Sequence, residues 1–202
     1  MTGPAQSFNT SGASQASLDA ALIDACEKNT SLADIQALLK AGANPNTVNK
    51  SKADCLIMAV LRRDEMLVKE LLQHGADPNY AGFTFGKTAL MWAAHMGQRK
   101  NVIAMLDAGA DPEATAHNGK TAADWADDNN KIAVKEMIRD FIHDKKNTAE
   151  QAAKDAAAQA QATAAQAETD AFNNVLQQGI PLQKEVRPLK TIRLKRADKL
   201  RP

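Results

Sequence analysis

Cysteine is scarce in this chain of 202 residues: there are two, Cys26 and Cys55. So few imply no disulfide framework and fit a reducing compartment. Long apolar runs are also missing, and no stretch approaches the ~18 residues that a membrane-spanning helix needs. The opening segment, MTGPAQSFNTSGASQAS, contains no Lys or Arg and no apolar core, so it predicts no secretory leader. Net charge is lacking too. The formal +1 excludes a whole-chain polycation aimed at nucleic acid. Together these absences predict a soluble cytoplasmic protein with one domain plus a tail, or two small domains.

What the chain does have is repetition. GANPN begins at Gly42, GADPN at Gly75 and GADPE at Gly109, at spacings of 33 and 34. Downstream of each, DCLIMAV from Asp54, TALMWAA from Thr88 and TAADWAD from Thr121 recur at spacings of 34 and 33. The one-residue mismatch falls at YAGFTFG, where the connection to the next helix is longer by one residue. A partial copy upstream, LIDACEKNTSLADIQALLKAGANPN, sets Ala25 34 residues before Ala59. The chain therefore holds about four units.

Each unit predicts two helices. The first carries small or apolar residues that let neighbouring units approach: Leu56 and Ala59, Leu90 and Ala93, then Ala126. The second carries an apolar stripe at helical spacing: Ile35, Leu38 and Leu39; Val68, Leu71 and Leu72; Val102, Met105 and Leu106; Val134, Met137 and Ile138. Glycine then ends the second helix, because it enters the left-handed region without steric cost. The Asp-Pro or Asn-Pro that follows turns the chain away. Ser31 and Asp34 read as a capping box at the start of the second helix of the first unit.

On these residues the chain resembles the ankyrin repeat family: GADPN…GKTALMWAA…G has that family's glycine-ended helix, hairpin, Thr-x-Leu helix start and Ala-Ala pair. The resemblance runs from about Ser17 to about His143. It implies an all-α solenoid of helix–turn–helix units joined by hairpin loops. The sequence departs from the family where the usual Pro and His of Thr-Pro-Leu-His are Ala89 and Met91, then Ala122 and Asp124. The Thr-to-His hydrogen bonds of the family are therefore expected to be absent. The Ser17 unit lacks its own hairpin, as an N-terminal cap should, and NNKIAVKEMIRDFIHDKK is expected to cap the other end.

The resemblance also implies a concave face for protein partners, lined by hairpin tips and first-helix ends. Mapped onto this chain, its positions are Arg62, Tyr80, Phe83, Phe85, His95, Met96, His117, Asn118 and Asp128. Tyr80, Phe83 and Phe85 crowd the one hairpin with the insertion, and clustered exposed aromatics are typical interface anchors. Packing over the adjacent unit is the alternative for each. Trp92 and Trp125 share one repeat register and are read as core. His74, His95, His117 and His143 share no metal-ligand spacing. Cys26 and Cys55 fall in or beside first-helix core positions, as small hydrophobes. GFTFGKT imitates a P-loop, but Gly82 and Gly86 enclose three residues where the motif needs four. No nucleophile–base–acid arrangement emerges, so the reading is of a non-enzymatic chain without cofactor, metal or small-molecule substrate.

After Lys146 the composition changes. Thr148 to Ala171 holds twelve Ala and four Gln in 24 residues, which predicts a long helix. Its Ala-only stripe buries little area, so a solvated spacer is the first reading and coiled-coil pairing the second. From Lys184 to Arg201 the chain carries +6, leaving −5 for the rest. Lys184, Arg187, Lys190, Arg193, Lys195 and Arg196 mark this basic tail. The expected organisation is a disordered segment 1–16, repeats 17–146, a helical spacer 147–178 and a basic tail 179–202.

Three functions are compatible with this layout. The first is an adaptor or scaffold that holds one protein on the concave face and a second partner through the tail. Another makes the tail the principal site, binding nucleic acid or an anionic membrane surface. A further reading, from the family resemblance and the basic end, is a secreted bacterial effector.

Overall fold

Capping side chains and left-handed turns divide this chain into short helices. The computed structural model describes residues 14–82 and 84–177. Among them are eight helices: α1 (Gln15–Lys28), α2 (Leu32–Lys40), α3 (Cys55–Leu61), α4 (Glu65–Gln73), α5 (Ala89–His95), α6 (Arg99–Asp107), α7 (Ala122–Asp128) and α8 (Ile132–Gln177). They pair in order into four helix–turn–helix units. The first helices stack as α1, α3, α5, α7, and α4 packs between α2 and α6. This is the all-α solenoid that the repeat pattern predicts, with one isolated antiparallel bridge, Val48 to Asp54, in place of strands among the described residues.

The first helix of each later unit begins at a side chain that accepts a backbone N–H the helix itself leaves free. Asp54 accepts from the N–H of Ile57, Thr88 from Met91 and Thr121 from Asp124. At Thr121 the cap is reciprocal: the Asp124 carboxylate accepts the Thr121 N–H at 2.9 Å and its hydroxyl at 2.8 Å. The aspartate where the family has histidine thus restores the local hydrogen bond that the sequence pattern led us to expect lost. The Ser31 box is one-sided, since Asp34 accepts the Ser31 hydroxyl at 2.8 Å.

The second helices end alike. Gly42, Gly75 and Gly109 have φ of 96°, 84° and 89°, and the next residue's N–H reaches back to Leu38, Leu71 and Met105. Only glycine holds this geometry without strain. The apolar stripes then meet in one core, in which Leu22, Ile35, Leu56, Leu71, Leu90, Met105 and Ile138 are fully buried. Cys26 and Cys55 are fully buried in it as free thiols. The neighbouring Cys26 thiol, with burial, pushes the Cys55 thiol far up, so it stays protonated.

Asparagine side chains tie each hairpin to the next. The Asn46 amide donates to the Gly75 carbonyl at 3.1 Å and accepts the Asp77 N–H at 2.7 Å. One unit on, Asn79 donates to Gly109 at 3.2 Å and accepts from Asp111 at 2.7 Å. Before the first hairpin, Gln15 and Asp19 of α1 do the same for Gly42 and Asn44, at 2.9 and 2.7 Å. After the last, the register holds Glu113, which pairs with Lys146 of α8 at 2.8 Å. A carboxylate cannot donate to a further carbonyl, so the ladder closes there.

The described residues divide into two compact units, with the boundary after Thr148. In the second, helix α8 continues through the Ala-rich sequence to Gln177, with residues 149–174 exposed. Its continuity follows from alanine's helix propensity and from exposed i,i+4 pairs such as Glu150 with Lys154 at 2.8 Å.

Two predictions follow from the capping and the ladder. Asn79→Ala removes both bonds of one rung and should lower stability by about 1–3 kcal/mol in urea melts. The second concerns Asp54, which is 2% exposed. Burial pushes its carboxyl from 3.8 up to about 6, the Ile57 N–H pulls it down and nearby Asp77 adds to the rise. A raised pKa means the native state favours the protonated acid, so its stabilising contribution is full below about pH 4 and is lost as pH rises through about 6. Asp54→Asn keeps the cap and should raise stability by about 1–3 kcal/mol at pH 8 while flattening the pH dependence between 4 and 7.

Candidate partner-binding face

The one-residue insertion reshapes the hairpin before α5. Tyr80 turns inward, half-buried against the core, and its hydroxyl donates to the Lys52 carbonyl of the preceding hairpin at 3.1 Å. Its ring covers Gly82 so closely that a Cβ there would collide with it. A single 3₁₀ turn, Thr84–Gly86, absorbs the extra residue. Within it Phe85 adopts φ 62°, a region that bulky residues avoid. The Phe85 carbonyl accepts the His117 N–H at 3.0 Å, which locks this turn to the next hairpin. The side chain is left 69% exposed. The three aromatics thus have different fates: Tyr80 packs, Phe85 is presented, and Phe83 lies outside the described residues.

Two residues after Phe85 the chain buries a lysine. Lys87 is 5% exposed, with its ammonium 4.2 Å from the Trp92 ring centre and 3.4 Å from that of Trp125. The two indole faces supply cation–π attraction in place of a carboxylate. Burial lowers the Lys87 pKa. His95 contacts both tryptophans edge-on, each at 5.9 Å between ring centres. Burial, together with Lys87 and Lys131, lowers the His95 pKa against the pull of Asp128. Its Nδ1 lies 2.7 Å from the Asn129 amide nitrogen, in hydrogen-bonding contact. The tryptophans are half-buried walls of this cluster and only partly the core that their shared register suggested. Lys120, at 5.6 Å from the Trp125 ring, pairs with Asp128.

The remaining mapped positions divide similarly. Arg62 is half-buried, and its guanidinium donates to the Glu27 carbonyl and to Asn29 at the end of α1. Met96 is half-buried, with its sulfur accepting from Gln98 at 3.0 Å. His117, Asn118 and Asp128 are exposed. The structure therefore sets His95 against both tryptophans, joins Phe85 to His117 by one backbone hydrogen bond and pairs Asp128 with Lys120, while Arg62 and Tyr80 fasten neighbouring units. Sequence reading missed Lys87 and Lys120. The signal was present, since both are the lysine of Gly-Lys-Thr ahead of a helix bearing tryptophan. The six tail residues from Lys184 to Arg196 lie outside the described residues. Among the described residues no His, Cys, Asp or Glu group is arranged to hold a metal, and no helix is long and apolar enough to cross a membrane.

Comparison with known proteins agrees with this architecture. Residues 22–116 match the model of ankyrin repeats, three copies. An ankyrin repeat protein of Acanthamoeba polyphaga mimivirus is 32% identical over 122 residues, covering 58% of this chain and 74% of that protein. The chain belongs to the ankyrin repeat family. Two other matches are to much longer proteins. An ankyrin repeat and SAM domain-containing protein of Rattus norvegicus is 38% identical over 79 residues, 39% of this chain and 9% of that protein. A glycerophosphocholine phosphodiesterase of Schizosaccharomyces pombe is 30% identical over 109 residues, 54% of this chain and 9% of its own length. Ankyrin repeats are generally protein-interaction modules, and the family is typically non-enzymatic.

The strained turn gives a direct test. Phe85→Gly relieves the left-handed strain while removing an exposed ring, so thermal stability should hold or rise by up to about 1 kcal/mol. A loss of stability in differential scanning calorimetry would mean that the ring is packed in solution.

Proposed function

We propose that this chain is an adaptor that grips a protein partner on the face around Phe85. The observation that carries this reading is an exposed aromatic held on unfavourable backbone by a cross-repeat hydrogen bond, because such strain persists where the surroundings enforce it and clusters at functional sites. Phe85 is the anchor, with His117, Asn118 and Asp128 as its polar surround. His95, Lys87 and the tryptophan pair form a floor that desolvates the contact. Arg62 and Tyr80 hold neighbouring units in register, and Met96 joins the contact surface beside them. A preformed surface lowers the ordering cost of binding. In this reading residues 17–146 are the binding body, residues 147–178 a spacer, and the +6 tail a second contact for an anionic partner. The protein works without catalysis in the reducing cell interior, where Cys26 and Cys55 remain thiols.

The test compares affinity capture from source-cell lysate by the intact chain, by Phe85→Ala with Asn118→Ala, and by a chain ending at residue 178. The double substitution should cut recovery of a specific protein at least tenfold, since central aromatic anchors contribute ~2 kcal/mol or more. Retention by that variant, with complete loss on truncation, would transfer the function to the tail. Capture through the tail should weaken steeply with salt if its partner is a polyphosphate.

A further inference from the structure

A second groove lies between α6 and α8, on second helices rather than on the face just described. Its volume is about 520 Å³. Ile103, Leu106, Met137 and Phe141 supply apolar lining, and Ile103 is 46% exposed. Ala133, itself exposed, is also part of the lining. Along the rims stand Asp107, Glu136, Asp140 and Asp144, all exposed, against the single cation Arg99.

These carboxylates contrast with those of the other sizeable groove, between α1 and residues 47–50. There Asp19 accepts the Asn44 N–H, Asp24 pairs with Lys28 and Glu27 accepts from Asn49. Each already has a partner within the fold. In the α6–α8 groove, Asp107, Glu136 and Asp140 make no ion pair with any described residue, and Asp144 meets only the exposed His143 at 3.8 Å. An apolar trough flanked by unpaired negative charge is complementary to a helix with an apolar stripe between Lys or Arg rows. Ala133 to Asp144 spans about 16 Å at 1.5 Å per residue, enough for three turns of a partner helix.

We propose that the α6–α8 groove docks a basic amphipathic helix of a partner protein. Two or three apolar side chains at i, i+3 or i+4, and i+7 sit over Ile103 and between Met137 and Phe141. Flanking lysines or arginines face Asp107 on one side and Glu136, Asp140 and Asp144 on the other. The groove is independent of the Phe85 face, so one chain holds both partners at once.

The probe is a fluorescein-labelled 14-residue Leu/Lys amphipathic helical peptide, with its Leu/Glu counterpart as control, titrated with the full chain in anisotropy. The Leu/Lys peptide should bind, and the Leu/Glu peptide should not. Asp107→Asn with Glu136→Gln and Asp140→Asn should weaken binding at least tenfold. Asp19→Asn with Asp24→Asn and Glu27→Gln, an equal change in net charge, should leave it within twofold. Ile103→Lys, monitored for folding by circular dichroism, should also weaken it tenfold. Equal weakening by the two triple variants would reduce the effect to net charge and overturn the proposal. Binding of the Leu/Glu peptide, or binding that survives both the groove triple variant and Ile103→Lys, would overturn it as well.

Discussion

Everything in the solenoid depends on how each hairpin satisfies its backbone after the second helix has ended. A left-handed glycine turns the chain, and that turn leaves a carbonyl at Gly75 or Gly109 and an amide at Asp77 or Asp111 facing the previous unit. The side chain of Asn46 or Asn79 answers both at once, because an amide is acceptor and donor on one rigid plane. Aspartate or glutamate could supply only the acceptor. The spacing between units is thereby fixed at the hairpin edge, and the apolar stripes are brought into register behind it.

That fixed register has a consequence for charge. Lys87 and Lys120 precede equivalent helices, yet only Lys87 has a tryptophan on each side, since α7 contributes Trp125 next to Trp92 of α5. Stacking therefore buries one cation between two indoles and leaves its successor to pair with Asp128 in solvent. The same stacking holds Phe85 in its turn, through an amide from the following unit. Phe85 and His95 are thus positioned by contacts between repeats, whereas Asn118 and Asp128 bond within their own repeat.

Much of the fold was legible beforehand. The Gly-Ala-Asp-Pro turns and apolar stripes located the second helices, and the Thr or Asp caps located the first. Asp124 was read as a lost histidine bond, when its carboxylate in fact closes a full capping box; the Thr121-x-x-Asp124 spacing carried that information. The site was less legible. Tyr80 and Phe85 are alike in sequence, but whether an aromatic packs inward or points out depends on the Lys52 carbonyl and the His117 amide, each about thirty residues away.

The sequence by itself determined the number of units and their helix ends, because caps and left-handed glycines act within a few residues. Only the tertiary structure decided which side chains are buried against another unit. It made Lys87 a buried cation, Trp125 a wall, Phe85 an exposed ring and the α6–α8 groove a trough of unpaired carboxylates. Those outcomes depend on stacking, which sets distances between residues that the sequence keeps a full repeat apart.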